Sequence, residues 1–293
     1  MDNKARVIIR YGADVVVRTP EGEHIRCTAK RKFEHIACGD YVDIEEAKQG
    51  NAKVVTLHKR KNALIRPDYS GRPKTIAANI DQVVIISSWH PDPPLELIDR
   101  YLVTADALDA DAIIVFNKSD LAESAKEKTQ KAIAEYASLG FPLIHSIASD
   151  TAHQQGIKNL QSHLQDKTSI LVGQSGVGKS SIAQLILPDQ TIKVGEVAYN
   201  GEGKHTTTTT NLYDLPSGGF LIDSPGVRDF VLHEINQQQL QAGFKEFGPF
   251  AAHCKFSNCS HQHEPKCAVK AAYEAGDIPP FRYRRYLNMI STL

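Results

Sequence analysis

Short β-branched runs, broken at close intervals by Gly, Pro or Asp, dominate the first sixty positions of the chain. Residues 6–19, RVIIRYGADVVVRT, hold two such runs split by Gly12. PEG at Pro20–Gly22 reads as a turn, and HIRCTAK alternates after it. Gly39–Asp40 turns the chain into YVDI, and AKVVTLHKR follows. Runs of this kind between turn residues predict strands. About five short strands in so small a piece predict a closed barrel of the OB-fold type. RPDYSGRPK, Arg66–Lys74, is rich in Pro and Gly and reads as a linker.

From about Asn79 the rhythm changes. DQVVIISSW is a continuous apolar run, and PLELIDRYLVTADALD after it has helical spacing. DAIIVFNKSD reads as strand then loop, and SAKEKTQKAIAEYASLG as an amphipathic helix stopped by Gly140. FPLIHSI, GIKNLQSHL, TSILVG and KSSIAQLIL continue the alternation as strand, helix, strand, helix. Strands alternating with helices predict a mostly parallel sheet covered on both faces. After Asp229 the chain turns helical, polar and rich in Cys and His. The domain reading is therefore a barrel over 1–68, a linker over 69–78, an α/β domain over 79–232 and a helical tail over 233–293.

Composition narrows the class. With 293 residues, 41% hydrophobic and 23% charged, the chain is an ordinary globular one. No apolar stretch approaches the ~20 residues that span a bilayer, and MDNKARVIIR has no signal-peptide core; the expectation is a cytoplasmic protein with no membrane partner. The zero net charge hides an asymmetry: residues 1–75 carry 16 Lys and Arg against 10 Asp and Glu, and residues 254–293 carry 6 against 3. Basic ends around an acidic middle suit a polyanion such as RNA, as does an OB barrel. Two KRK runs, Lys30–Lys32 and Lys59–Lys61, belong to the barrel. RYRRY at Arg282–Tyr286 suits RNA or a plain helix surface equally.

Three loops carry candidate chemistry. GQSGVGKS, that is Gly173, Gln174, Ser175, Gly176, Val177, Gly178, Lys179 and Ser180, matches G-x-x-x-x-G-K-[ST] between a strand and a helix. Its backbone N–H groups can cradle phosphate oxygens, helped by the helix dipole. Lys179 is expected on the β- and γ-phosphates and Ser180 on Mg²⁺. DSPG follows the strand GGFLI; Asp223 is expected on Mg²⁺ through water, and the Gly226 N–H on the γ-phosphate. NKSD follows AIIVF. The Asp120 carboxylate can accept from guanine N1–H and its 2-amino group, Asn117 can serve the O6/N7 edge, and the Lys118 stem can cover the base. All three loops follow strands, so a doubly wound sheet sets them on one rim. NKSD precedes the phosphate loop in the chain, which implies circular permutation, tolerated where termini lie close at exposed sites.

Cys254, Cys259, His261 and Cys267 are spaced C-x₄-C-x-H-x₅-C. Three thiolates and an imidazole suit a closed tetrahedral Zn²⁺ site; His253 and His263 compete as ligands. Cys27 and Cys38 read as plain core residues.

On NKSD, GQSGVGKS, GKHTTTTT, DSPG and the cysteine cluster, in that order, the chain resembles the RsgA (YjeQ) family of circularly permuted bacterial GTPases. The likeness runs through nearly the whole chain. It departs at Ser224, where the family usually has Thr, and at SIAS, where a Ser-Ala pair supporting guanine corresponds to some of Ser146–Ala148. The resemblance implies Mg²⁺-dependent hydrolysis of GTP to GDP, and a late role in small (30S) subunit maturation. It implies binding to 16S rRNA, release after hydrolysis, one structural Zn²⁺ and a monomer. GEGKHTTTTTNLYDL stands where a first switch belongs, with Thr207 or Thr208 the expected hydroxyl ligand to Mg²⁺. Val227 follows DSPG and cannot orient water as a glutamine does, so His205 of the GKHTTT motif is the expected water-orienting residue. Two rivals remain: a nucleotide-dependent RNA-binding module with incidental hydrolysis, and an ATP-dependent kinase or ATPase.

Overall fold

A computed structural model describes residues 4–45, 52–67, 70–148, 154–187, 210–223 and 235–293. The N-terminal strands are β1 (Ala5–Tyr11), β2 (Asp14–Arg18), β3 (His24–Thr28), β4 (Tyr41–Glu45) and β5 (Ala52–Leu57). They pair in the order β1-β2-β3-β5-β4 and close by β4 returning to β1. The β3–β5 pair is parallel and the others antiparallel. Strand alternation sends Val7, Val15, Val17, Cys27, Val42 and Val54 into one barrel core. Arg60 of the second KRK run is not a free surface cation. Its guanidinium grips the fully buried Asp40 with two 2.7 Å bonds.

The segment read as a linker is partly a hairpin: β6 (Ala63–Pro67) pairs antiparallel with β7 (Pro73–Ala78). Cys38 bridges to Ala77, so the hairpin lies on the barrel. A Cβ at Gly39 would stand 2.2 Å from the Ala78 carbonyl oxygen, so that approach needs glycine.

The central sheet contains β8 (Gln82–Ser88), β9 (Asp111–Asn117), β10 (Leu143–His145), β11 (Thr168–Val172), β12 (Asn211–Asp214) and β13 (Phe220–Asp223), in the order β10-β9-β8-β11-β13-β12. All pairs are parallel except β12–β13. Every residue of β8 is buried, as a strand covered on both faces requires. Val83 and Ile85 face the core shared with α1 (Leu95–Ala107) and α2 (Glu127–Ser138). Val84 and Ile86 face the core shared with α3 (Gln155–Leu164) and α4 (Lys179–Ile186). The barrel joins this sheet where β1 pairs with β12, Ile9 opposite Asn211.

The tail consists of α5 (Gln237–Gly243), a short α6 (Gly248–Ala251), α7 (Ala268–Ala275) and α8 (Pro280–Ile290). It docks on α1: Val103 belongs to the tail's own core with Phe244, Phe247 and Tyr286. A Cβ on Gly243 would lie 2.7 Å from Val103, so α5 and α1 approach at glycine distance. No helix of the described residues is long and apolar enough to cross a membrane.

Most of RYRRY is turned inward, so it is not a plain helix face. Arg282, Tyr283 and Tyr286 are buried, and among its cations only Arg284 is exposed. Arg282 pairs with Asp99 of α1 and with Glu246 at 2.5 Å, and Arg285 pairs with Asp99 at 2.5 Å. Burial alone would lower the Arg282 pKa; Asp99 and Glu246 outweigh it and hold the guanidinium charged.

Candidate functional site

The C-terminal ends of four parallel strands make the rim on which the sequence motifs meet. Ser88 and Asn117 end β8 and β9 side by side, Val172 ends β11 opposite Ile85, and Asp223 ends β13. Gly173 follows β11 at φ +142°, where a Cβ would stand 2.1 Å from the Ile86 carbonyl oxygen. The phosphate loop therefore leaves the sheet at glycine distance from β8. Gln174, Ser175, Gly176 and Ser180 are exposed, and Val177 is buried beneath the loop. Lys179 opens α4 and folds back, donating to the Gly173 and Gln174 carbonyls at 2.6 Å each.

Asn117 is the hinge pin of the site. Only 3% exposed, it donates through Nδ2 to the Val177 carbonyl at 2.9 Å. Its Oδ1 accepts from the Ala148 N–H at 3.0 Å and the Ser146 hydroxyl at 3.3 Å. One side chain thus ties three loops together: those after β9 and β10, and the phosphate loop. Its Oδ1 is spent within the protein, and one Nδ2 hydrogen remains for an outside acceptor. Gly178 completes the fit. At φ +97°, its Cβ would fall 2.2 Å from Asn117 Nδ2.

Lys118 takes left-handed backbone at φ 57°, and its Nζ reaches the His90 carbonyl at 3.3 Å. Asp120 is exposed at the rim. Behind this loop Trp89 stacks on His145 at 5.8 Å and tilts against Phe116 at 5.4 Å; burial lowers the His145 pKa and keeps it neutral. Ser146 and Ala148, not Ile147, make the Asn117 contacts. A serine and an alanine two apart at a strand end gave the signal in the sequence, without saying which atoms act. His205, Thr207, Thr208, Ser224 and Gly226 lie outside the described residues.

The second cluster sits in the tail. Ligand atoms of Cys254, Cys259, His261 and Cys267 all lie within 4.8 Å of one another. His261 Nδ1 is 3.6 Å from Cys254 Sγ and 3.5 Å from Cys267 Sγ, and the two sulfurs are 4.0 Å apart. These three distances make one triangular face, and with the Cys259 sulfur the four ligand atoms are close enough to hold one small cation. Burial pushes the Cys259 thiol up to about 12 and the His261 pKa down. The imidazole is therefore ready to ligate, and the buried Cys259 thiol needs a cation beside it to ionise. His253 and His263 are exposed and outside the group.

The loop that presents these ligands is bolted from outside. Tyr283 and Tyr286 donate to the His261 and Ser260 carbonyls at 2.6 Å, and Gln241 to the Cys259 carbonyl at 2.7 Å. Burial would raise the Glu264 carboxyl, but hydrogen bonds from the Ser260 hydroxyl and from the N–H groups of Ser260, Glu264 and Gln262 hold it at about 2. Two tyrosines of RYRRY thus serve the metal loop.

Comparison with known proteins agrees with this geometry. A sequence model described as RsgA GTPase matches residues 57–233. The small ribosomal subunit biogenesis GTPase RsgA of Hahella chejuensis is 40% identical over 298 residues, covering 100% of this chain and 85% of its own. Among solved structures, YjeQ from Thermotoga maritima superposes with a TM-score of 0.79 at 32% identity, over 99% of this chain and 98% of that one. YloQ, described as a circularly permuted GTPase, superposes at 0.76 and 28% identity, over 99% and 94%.

Proposed function

We propose a function on one established premise: the chain belongs to the RsgA family of circularly permuted GTPases. It hydrolyses GTP to GDP and phosphate while bound to the small ribosomal subunit, late in that subunit's assembly, and hydrolysis releases it. The Asn117 tie carries the guanine half of this reading, because it locks a base-reading loop to a phosphate loop that lies 60 residues further on. Gly173–Lys179 cradle the phosphates, and Lys179 exchanges two loop carbonyls for β- and γ-phosphate oxygens. Mg²⁺, when bound, neutralises charge building on the phosphates; Ser180, Asp223 and Thr207 or Thr208 would hold it. Gly226 would donate its N–H to the γ-phosphate, and His205 would orient the attacking water. The protein acts as a cytoplasmic monomer.

RNA contact falls to the exposed cations: Lys30, Arg31, Lys32 and Lys59 on the barrel, and Lys255, Lys266, Lys270 and Arg284 on the tail. These reach 16S rRNA phosphates without reading base sequence. Purified 30S subunits should raise GTP turnover, and His205→Ala should lose that stimulation while keeping GTP affinity. Equal turnover with and without subunits would make hydrolysis incidental to an RNA-binding role.

Guanine reading has its own test. In Asp120→Asn one carboxylate acceptor becomes an NH₂ donor facing the guanine 2-amino group. An unpaired buried polar group costs roughly 1–3 kcal/mol, so GTP affinity should fall at least ~10-fold, the equivalent of ~1.4 kcal/mol. Xanthine offers a carbonyl at that position, so xanthosine triphosphate should outcompete GTP on the variant and lose to it on the parent. A variant that still prefers GTP would remove Asp120 from base recognition.

The metal of the tail is Zn²⁺, one per chain. Tetrahedral bonds of ~2.3 Å to sulfur and ~2.0 Å to nitrogen match the distances described above. Cys259→Ser should abolish bound zinc in elemental analysis and loosen the tail in hydrogen exchange, because a structural metal contributes folding energy. A parent chain that is folded and metal-free would refute the site.

A further inference from the structure

A second cavity, of about 370 Å³, lies where the barrel meets the other end of the central sheet. Phe220 in its wall opens β13, whereas Asp223 at the nucleotide rim closes it. The two sites are therefore on opposite rims. Lys4, Arg6 and Arg18 line the cavity with Thr19, Tyr41 and Phe220, and no carboxylate is among its described lining residues.

Arg6 is the residue that asks for a ligand. It is 5% exposed, and burial lowers its pKa. Its guanidinium makes one hydrogen bond, from Nη2 to the Thr168 hydroxyl at 2.8 Å. Among the described residues no carboxylate pairs with it, and its Nε is buried with no partner at all. Asp81 and Asp214 act on it only from a distance and do not outweigh burial, and a buried charge with no directly paired anion is costly. The Phe220 and Tyr41 rings, 4.3 and 5.1 Å from the guanidinium carbon, offset only part of that. Arg18, also in the lining, is bound through Nε to Asp214 at 2.8 Å and through Nη1 to the Thr19 carbonyl at 3.3 Å, so it adds positive charge to the wall more than free donors. A planar fork with unused donors beside a second cation matches the oxygens of a phosphate. The volume is too large for phosphate alone and falls in the range of small-molecule sites.

We propose that this cavity is a second phosphate-binding site, taking a phosphorylated ligand of about mononucleotide size and clamping the barrel to the central sheet. The phosphate sits on Arg6 and Lys4, and the attached group lies against Tyr41 and Phe220. The source is a free nucleoside monophosphate or one nucleotide of a single-stranded RNA.

Calorimetry on the full chain, with the phosphate loop first saturated with GDP and Mg²⁺, tests this. Cytidine 5′-monophosphate should bind, and cytidine at least ~10-fold more weakly, since the charge-assisted bonds go to the phosphate. Lys4→Ala and Arg6→Lys, each checked for folding by thermal melting, should weaken the monophosphate by about the same factor. Oligocytidylate hexamers with and without a 5′-phosphate separate the sources: equal binding points to an internal phosphodiester, and dependence on the 5′-phosphate or failure of both points to the free monoester. Either result supports the site if Lys4→Ala weakens it. No binding by the monophosphate or either hexamer, or binding that both variants leave unchanged, overturns it.

Discussion

Asp99→Ala should destabilise the folded chain by about 3–5 kcal/mol, the cost of leaving a buried charge without its partner. Asp99 is fully buried on α1, between the guanidiniums of Arg282 and Arg285, and accepts the Tyr136 hydroxyl at 2.8 Å. Without it, Arg282 keeps Glu246 and the face of Phe244 at 4.2 Å. Arg285 keeps the Phe281 and Tyr136 rings, at 4.1 and 5.6 Å, and a longer-range attraction to Glu135. Because this network fastens the tail to the central domain, urea unfolding should show the loss together with earlier exchange of the α8 amides. A double replacement by apolar residues of similar volume, Asp99→Leu with Arg285→Met, should recover part of the loss, since Arg282 keeps Glu246 and the uncompensated Arg285 charge, which costs most, is gone. A single variant within ~0.5 kcal/mol of the parent, the usual range for a surface change, would mean that water reaches the cluster.

Lys179→Ala should reduce GTP turnover on the order of 10²–10³-fold, the usual cost of deleting a fixed donor aimed at developing charge. Stability should hardly move. The carbonyls that Lys179 now covers belong to Gly173 and to the exposed Gln174, and water can replace the ammonium there. That combination separates a chemical role from a structural one. Near-parental turnover in a folded variant would remove the loop from catalysis. Single-turnover hydrolysis with thermal melting as the control measures both halves.

The rim of the central sheet was legible in the sequence because each of its signals is local. A strand, a glycine-rich turn and a helix sit within a few residues of GQSGVGKS, and the C-x₄-C-x-H-x₅-C spacing is equally compact. The barrel was legible for the same reason, since turn residues separate its β-branched runs. What failed depended on partners far along the chain. Arg282 meets Asp99 across 183 residues, so a run of arginines and tyrosines looked like a surface. Asn117 looked like a base reader alone, because Ala148 and Val177 were not visible as its partners. The hairpin of β6 and β7 was hidden by the Pro and Gly of its turn, while its pairing is carried by residues 63–67 and 73–78 on either side. The β12 strand was missed because it is short and antiparallel at a sheet edge.

That edge has a consequence for how the molecule keeps to itself. An unpaired strand at the side of a sheet offers its N–H and C=O groups to any other chain, and proteins blunt such edges. Here β1 seals β12, and the barrel from which β1 comes has its own edges closed by β4. At the far side the sheet stops at β10, three residues long, too short to template much. The barrel is thus a guard against chain-to-chain stacking. A central domain cut free of its barrel would carry β12 as an open edge, and would tend to assemble with copies of itself.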